Sequence, residues 1–214
     1  MIRTISRNMA EKLGKQLQCD QDRVEVYAYG LQIILGTGFK LVLILLISLI
    51  LDTFHTTLIC LITYIAFRNF GGGVHLSTYS KCLVTGLAVF TVLGKLAAHG
   101  METGALFLLL IVTSLLWIYA ITKWVPAGTE KKQVKDRRVR LKQKKKTGWV
   151  LMLWVITCTV LIKYRFIYHT FASLLGALAA LFLITPWGYR IAKALDNKLD
   201  NFGKGGVGEC IKRQ

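Results

Sequence analysis

The chain has 214 residues, 54% of them hydrophobic, and a formal net charge of +17. A mean hydropathy of +0.49 and long unbroken apolar runs exclude an ordinary soluble domain. Residues 41–51 read L-V-L-I-L-L-I-S-L-I-L, without the apolar–polar alternation of a transmembrane β-barrel, so the composition predicts an all-α integral membrane protein.

Residues 1–30 carry Arg3, Arg7, Lys12, Lys15 and Arg23 among apolar positions and are predicted to form an amphipathic segment on the membrane interface. The first residues lead into charge through Glu25 rather than into an apolar cleavage segment, so no removable signal peptide is expected. Residues 31–187 are predicted to form a six-helix membrane domain, given a requirement of about 17–25 apolar residues per span. Its spans are 31–51, 53–67, 83–98, 105–122, 148–164 and 166–187. The first two form a hairpin turning near Asp52, with Gly36 and Gly38 easing the approach. Lys40 falls near mid-helix, which is costly unless it snorkels or faces protein. Pro126 and Pro186 stand near the ends of apolar runs, where a helix tolerates proline best. Residues 188–214 form a basic tail.

Orientation follows from Lys and Arg in short loops. The loop at 123–147 holds eleven of them against Glu130 and Asp136, which assigns it to the cytoplasmic side. The opposite turns carry Asp52, Glu102 and, as a mild exception, Lys163 and Arg165. Both termini and residues 68–82 are then cytoplasmic, because two crossings separate that segment from the basic loop. The charge calls for no nucleic-acid partner: attraction to anionic lipid contributes about 1 kcal/mol per basic residue near the surface. No internal repeat is evident, which weakens a reading as an inverted-repeat transporter.

Between the second and third spans lies R-N-F-G-G-G-V-H-L-S-T-Y-S-K-C, residues 68–82. Three adjacent glycines suggest a break or a close backbone approach. Cys82 is a candidate nucleophile, and His75 a candidate base that forms its thiolate and returns a proton to the leaving amine. On one continuous helix the two would share a face but stand about 10 Å apart along the axis. Contact therefore requires a bend, which residues 77–80 could supply. Arg68 could favour the thiolate by charge, and the amides of Gly71 to Gly73 could form an oxyanion nest. On residue type alone, a cysteine beside a membrane helix is more often apolar filler, and a histidine a headgroup contact. Cys60 and Cys158, in mid-span, read as packing residues. Cys19 and Cys210 have no base placed nearby. The five scattered cysteines make neither a disulfide framework nor a metal-ligand spacing. His55, His99 and His169 fall near the opposite face, where a shared metal site is the minor alternative; no metal or cofactor is expected.

Arg68, Gly73, His75 and Cys82, followed by an apolar span pair and then V-P-A-G-T-E-K-K at residues 125–132 before a Lys/Arg-rich stretch, resemble the accessory gene regulator protein B (AgrB) family. The resemblance covers roughly residues 30 to 150. Gln133 stands where the family often has proline, and Gly128 where it often has Ala or Asp; neither touches the catalytic pair. The resemblance implies a membrane cysteine endopeptidase that processes a quorum-sensing propeptide. Cys82 would attack the scissile carbonyl while His75 manages the protons, and the acyl-enzyme thioester would pass to a substrate thiol to close a thiolactone. Family substrates have an acidic C-terminal region, which Lys131, Lys132, Lys135, Arg137, Arg138 and Arg140 would complement, and a homodimer is implied. The rival reading is a multi-pass transporter or exporter without peptidase activity, with Lys40, Asp52 and Lys95 along its path.

Overall fold

The computed structural model describes residues 2–74, 76–127 and 137–208, with side chains of the final helix described to residue 199. Eight helices follow one another among the described residues: α1 Ile2–Gln16, α2 Gln21–Ile50, α3 Phe54–Gly71, α4 Tyr79–Ala98, α5 Thr103–Lys123, α6 Arg137–Lys163, α7 Ile167–Phe182 and α8 Pro186–Gly208. The chain divides into two units, Met1–Ile47 and Ser48–Gln214.

In the first unit, α1 is amphipathic. Ile5, Met9 and Leu13 recur at helical spacing and are exposed, while Ser6, Ala10 and Gly14 are buried, with Val24 packed where a Gly14 side chain would stand. A turn follows in which Gln18 has a φ of 49°. Helix α2 then begins at Gln21, ten residues ahead of the predicted span. Hydropathy registers only apolar residues, but the helix continues through Glu25 and Arg23 to Gln21. Gly36 and Gly38 interrupt nothing, for α2 passes straight through both.

The second unit opens with the predicted turn. Asp52 takes a φ of 53° and the Thr53 amide returns to the Ser48 carbonyl at 2.9 Å. Its core is the pair α3 and α7; α7 touches α3, α4, α5 and α6, and α3 also touches α4 and α6. Small residues allow this closeness: a side chain at Gly176 of α7 would run into the Cys60 carbonyl of α3. Polar side chains bond across the apolar interior. Ser173 Oγ lies 3.0 Å from Thr63 Oγ1 and accepts from Trp154 Nε1 at 2.8 Å, while Trp117 Nε1 donates to the Ala177 carbonyl at 3.2 Å. At the end of α3, the Phe67 ring stacks on Trp117 at 4.3 Å and meets Trp154 edge-on at 5.4 Å, so the residue before Arg68 is locked in place.

Helices thus stand at all six predicted span positions, but not all six have a span's dimensions. Among the described residues α2, α4, α5 and α6 are long and apolar enough to cross a membrane, with a fifth crossing if α7 and the start of α8 form one bent span. Helix α3 has 18 residues and α7 has 16, about 27 and 24 Å at the helical rise, against a hydrocarbon layer of about 30 Å. Both are the interior helices and bury their faces on protein.

Helices also reach into the segments predicted as the basic loop and the tail. Helix α6 starts at Arg137, eleven residues before the predicted span, and α7 gives way to α8 at a 79° bend. The sequence Thr185-Pro186-Trp187-Gly188 explains that bend. Thr185 Oγ1 accepts from the Gly188 amide at 3.1 Å, the N-cap bond of a new helix. Pro186 occupies the first helical position, where its missing N–H costs nothing. Arg190, Lys193, Asp196 and Lys198 then give this part of α8 a charged face.

Candidate functional site

Helix α3 runs out in glycine. Gly72 has a φ of +79° and its amide donates to the Arg68 carbonyl at 3.1 Å. Gly73, with a φ of +129°, donates to the Ala127 carbonyl at 3.0 Å, and the Ala127 amide donates to the Gly71 carbonyl at 2.9 Å. These bonds make a parallel bridge between Gly72 and Ala127. The Val74 amide then donates to the Leu183 carbonyl, at the α7–α8 junction, at 3.2 Å. Arg68 closes the loop from within: its guanidinium donates to the Gly72 carbonyl at 2.6 Å and also to the Val74 carbonyl. The glycines are sterically required. A Cβ at Gly72 would strike the Ala127 carbonyl, and one at Gly73 would overlap the guanidinium.

Arg68 is a staple on two backbone carbonyls, because its planar fork suits paired acceptors. One sequence expectation changes here. The amides of Gly72 and Gly73 are committed to Arg68 and Ala127, so they form no oxyanion nest.

Cys82 is half-buried in the first turn of α4, and its amide donates to the Thr78 carbonyl at 3.1 Å. Helix α4 starts at Tyr79, so residues 76–78 are non-helical while residues 79 and 80 of the expected bend belong to the helix. His75 itself lies outside the described residues. Lys81, the residue before Cys82, pairs through Nζ with Asp196 Oδ1 of α8 at 2.9 Å, and Ser77 Oγ donates to the same oxygen at 2.8 Å. The bonds from Lys81 and then from Ser77 hold the Asp196 carboxyl below its ordinary range.

Lys131, Lys132 and Lys135 also lie outside the described residues. Arg137, Arg138 and Arg140 open α6 and are exposed. The basic start of α6 reaches the same end of the bundle as the glycine loop, with Lys146 Nζ 5.8 Å from the Phe70 ring centre and Lys144 Nζ donating to the Thr122 carbonyl at 2.7 Å. Among the described residues no three of His, Cys, Asp and Glu converge as metal ligands. An apolar groove lined by Ile62, Phe67, Leu153, Trp154 and His169 lies among α3, α6 and α7 and includes neither Arg68 nor Cys82.

The accessory gene regulator B family matches residues 6–185. The chain belongs to this family. An accessory gene regulator protein B of Staphylococcus intermedius is 27% identical over 184 residues, covering 84% of this chain and 93% of its own length. That of Staphylococcus aureus strain MRSA252 is 28% identical over 151 residues, covering 71% and 79%. An AgrB-like protein 2 of Clostridium perfringens strain 13 is 25% identical over 159 residues, covering 72% and 74%. No solved structure matches the chain. As an AgrB family member this multi-pass membrane protein is tied to the accessory gene regulator system. Sequence reading singled out Arg68, Gly73 and the Val125-Pro126-Ala127 run, which meet in the glycine loop, but not Leu183 or Asp196. Leu183 acts through its carbonyl, which no side chain advertises. Asp196 had a signal in the Thr-Pro start of α8, which makes the supposed tail a helix.

Proposed function

We propose that the chain is a membrane-embedded cysteine endopeptidase that cleaves the C-terminal part from an autoinducer propeptide in quorum sensing. Cys82 attacks the scissile carbonyl, and the leaving amine takes a proton from His75. The acyl-enzyme thioester then exchanges with a substrate thiol, giving a cyclic thiolactone peptide. One thioester replaces another, so ring closure is near neutral and needs no coupled energy source. Exclusion of water at the membrane surface protects the thioester meanwhile.

The observation that supports this reading most is the stapled loop at 71–74. Arg68, Ala127 and Leu183 hold it from three directions, and it leads directly into the helix turn bearing Cys82. Such rigidity suits a reacting group that must be held to a fraction of an ångström. Cys82 itself stands in the first turn of α4.

The rest of the reading concerns recognition and setting. Arg137, Arg138 and Arg140, with Lys131, Lys132 and Lys135, attract the acidic C-terminal region of the propeptide, and anionic lipid holds the basic segments to the cytoplasmic face of the cell membrane. The protein acts as a homodimer and has no nucleic-acid partner. The test is cleavage of the propeptide encoded beside the gene by purified protein in liposomes, with Cys82→Ala and His75→Ala alongside. Loss of cleavage in both folded variants supports the peptidase. Normal cleavage by Cys82→Ala removes it and advances the transporter alternative, which tolerates Cys82→Ser with flux intact.

A further inference from the structure

We propose that Asp196, on α8, is a positioning residue for Cys82, which it holds in place through Ser77 and Lys81. The inference depends on the peptidase reading for its consequence in turnover, and on geometry alone for the tether itself.

One carboxylate gathers donors from both ends of residues 77–81. The Ser77 amide lies 3.3 Å from each Asp196 oxygen, and the Ser77 hydroxyl donates to Oδ1 at 2.8 Å. Lys81 Nζ donates to Oδ1 at 2.9 Å, to the Asp196 main-chain carbonyl at 3.0 Å and to Ser77 Oγ at 3.2 Å. The Lys81 and Asp196 side chains are only 11% and 20% exposed, so water screens them less than an ordinary surface pair. Ser77 follows His75 by two residues and Lys81 immediately precedes Cys82. The tether therefore clamps the stretch that separates the candidate base from the candidate nucleophile.

Its mechanical effect follows from helix physics. The first turn of a helix frays most readily because its amides have no intrahelical acceptors. Cys82 sits in that turn, and tying Ser77 and Lys81 to one carboxylate keeps the turn closed. Asp196 is itself well anchored, on a helix started by the Thr185 cap and Pro186. Its carboxylate is committed to Ser77 and Lys81, so it acts through them and not on the reacting atoms. The residue also lies beyond the family match, which ends at residue 185.

The experiment uses the full chain in anionic liposomes, comparing Asp196→Asn, Lys81→Met and Cys82→Ala with the wild type. The first readout is propeptide cleavage, resolved into kcat and KM. The second, where the thiol is present, is the rate at which iodoacetamide alkylates Cys82, read by peptide mass spectrometry across pH, which needs no substrate. Asp196→Asn is expected to lower kcat by about tenfold or more, in keeping with the cost of an ångström-scale misplacement, with KM little changed. It should also shift the Cys82 alkylation profile, and Lys81→Met, which cuts the same tether from its other end, should change both in the same direction. Wild-type kcat and alkylation in Asp196→Asn would overturn the tether while inactivity of Cys82→Ala leaves the peptidase standing. Active Cys82→Ala would instead remove the peptidase, and the alkylation profile would then decide the tether alone. If Asp196→Asn fails to accumulate in the membrane, Lys81→Met decides: the same losses support the tether, and wild-type values overturn it.

Discussion

Gly73 and the Arg68 guanidinium lie so close that a single added carbon would overlap them. The arginine reaches the carbonyls of Gly72 and Val74 because nothing projects from the residue between them. Gly73→Ala meets this overlap and also a φ of +129°, a conformation that costs of order 1–3 kcal/mol for a residue with a side chain. Propeptide cleavage is expected to fall at least tenfold, measured against the amount of variant in the membrane.

Arg68→Lys separates shape from charge. The ammonium keeps the positive charge but cannot bridge two carbonyls with a planar fork. Turnover is expected to drop about tenfold or more, the scale of a positioning loss. Wild-type turnover would show that charge suffices and would remove the staple from the account.

Thr185→Ala deletes the hydroxyl that accepts the Gly188 amide. Loss of an N-cap costs about 1 kcal/mol. The thermal midpoint in detergent should fall by a few degrees, and protease cleavage within α8 should quicken. An unchanged cleavage rate at α8 would show that Pro186 alone fixes the start of the helix.

The Asp196 tether has a definite pH signature. Lys81 and Ser77 hold its carboxyl below the ordinary range, so the folded value is depressed. The stability it contributes is full above the unfolded value of about 4 and is lost as pH falls through the folded value. Thermal midpoints of the wild type and Asp196→Asn should therefore differ by a constant amount near neutrality and converge on acidification below about pH 4. A gap that instead closes between pH 6 and 8 would assign the effect to another group.

Replacing Arg137, Arg138 and Arg140 with glutamine is expected to raise KM for the propeptide several-fold at low salt, with kcat little changed. The effect should shrink as the screening length falls towards about 8 Å at physiological ionic strength. An equal KM in dilute buffer would leave these residues a role in topology only.

Much of the fold was legible because membrane helices announce themselves through apolar runs. The turn at Asp52 and the centres of all the predicted helices stand where hydropathy put them. The ends do not: α2, α6 and α8 continue through Arg23, Arg140 and Arg190, since a helix keeps its hydrogen bonds after its residues become charged. At the site, the legible residues were those with chemistry of their own, Arg68, Gly73 and Cys82. What joins them is backbone: Gly73 to Ala127 and Val74 to Leu183. Main-chain carbonyls are alike at every position, so only the folded chain says which ones are used.

The carbonyl that receives Val74 belongs to Leu183, more than a hundred residues downstream. During synthesis the chain emerges from its N-terminus, so α3, α4 and the Cys82 turn are made long before that acceptor exists. Until the α7–α8 junction has been made and inserted, the loop has one side open and Asp196 has not been translated. The reactive turn is therefore assembled late, and a nascent or truncated chain carries the thiol without its finished surroundings.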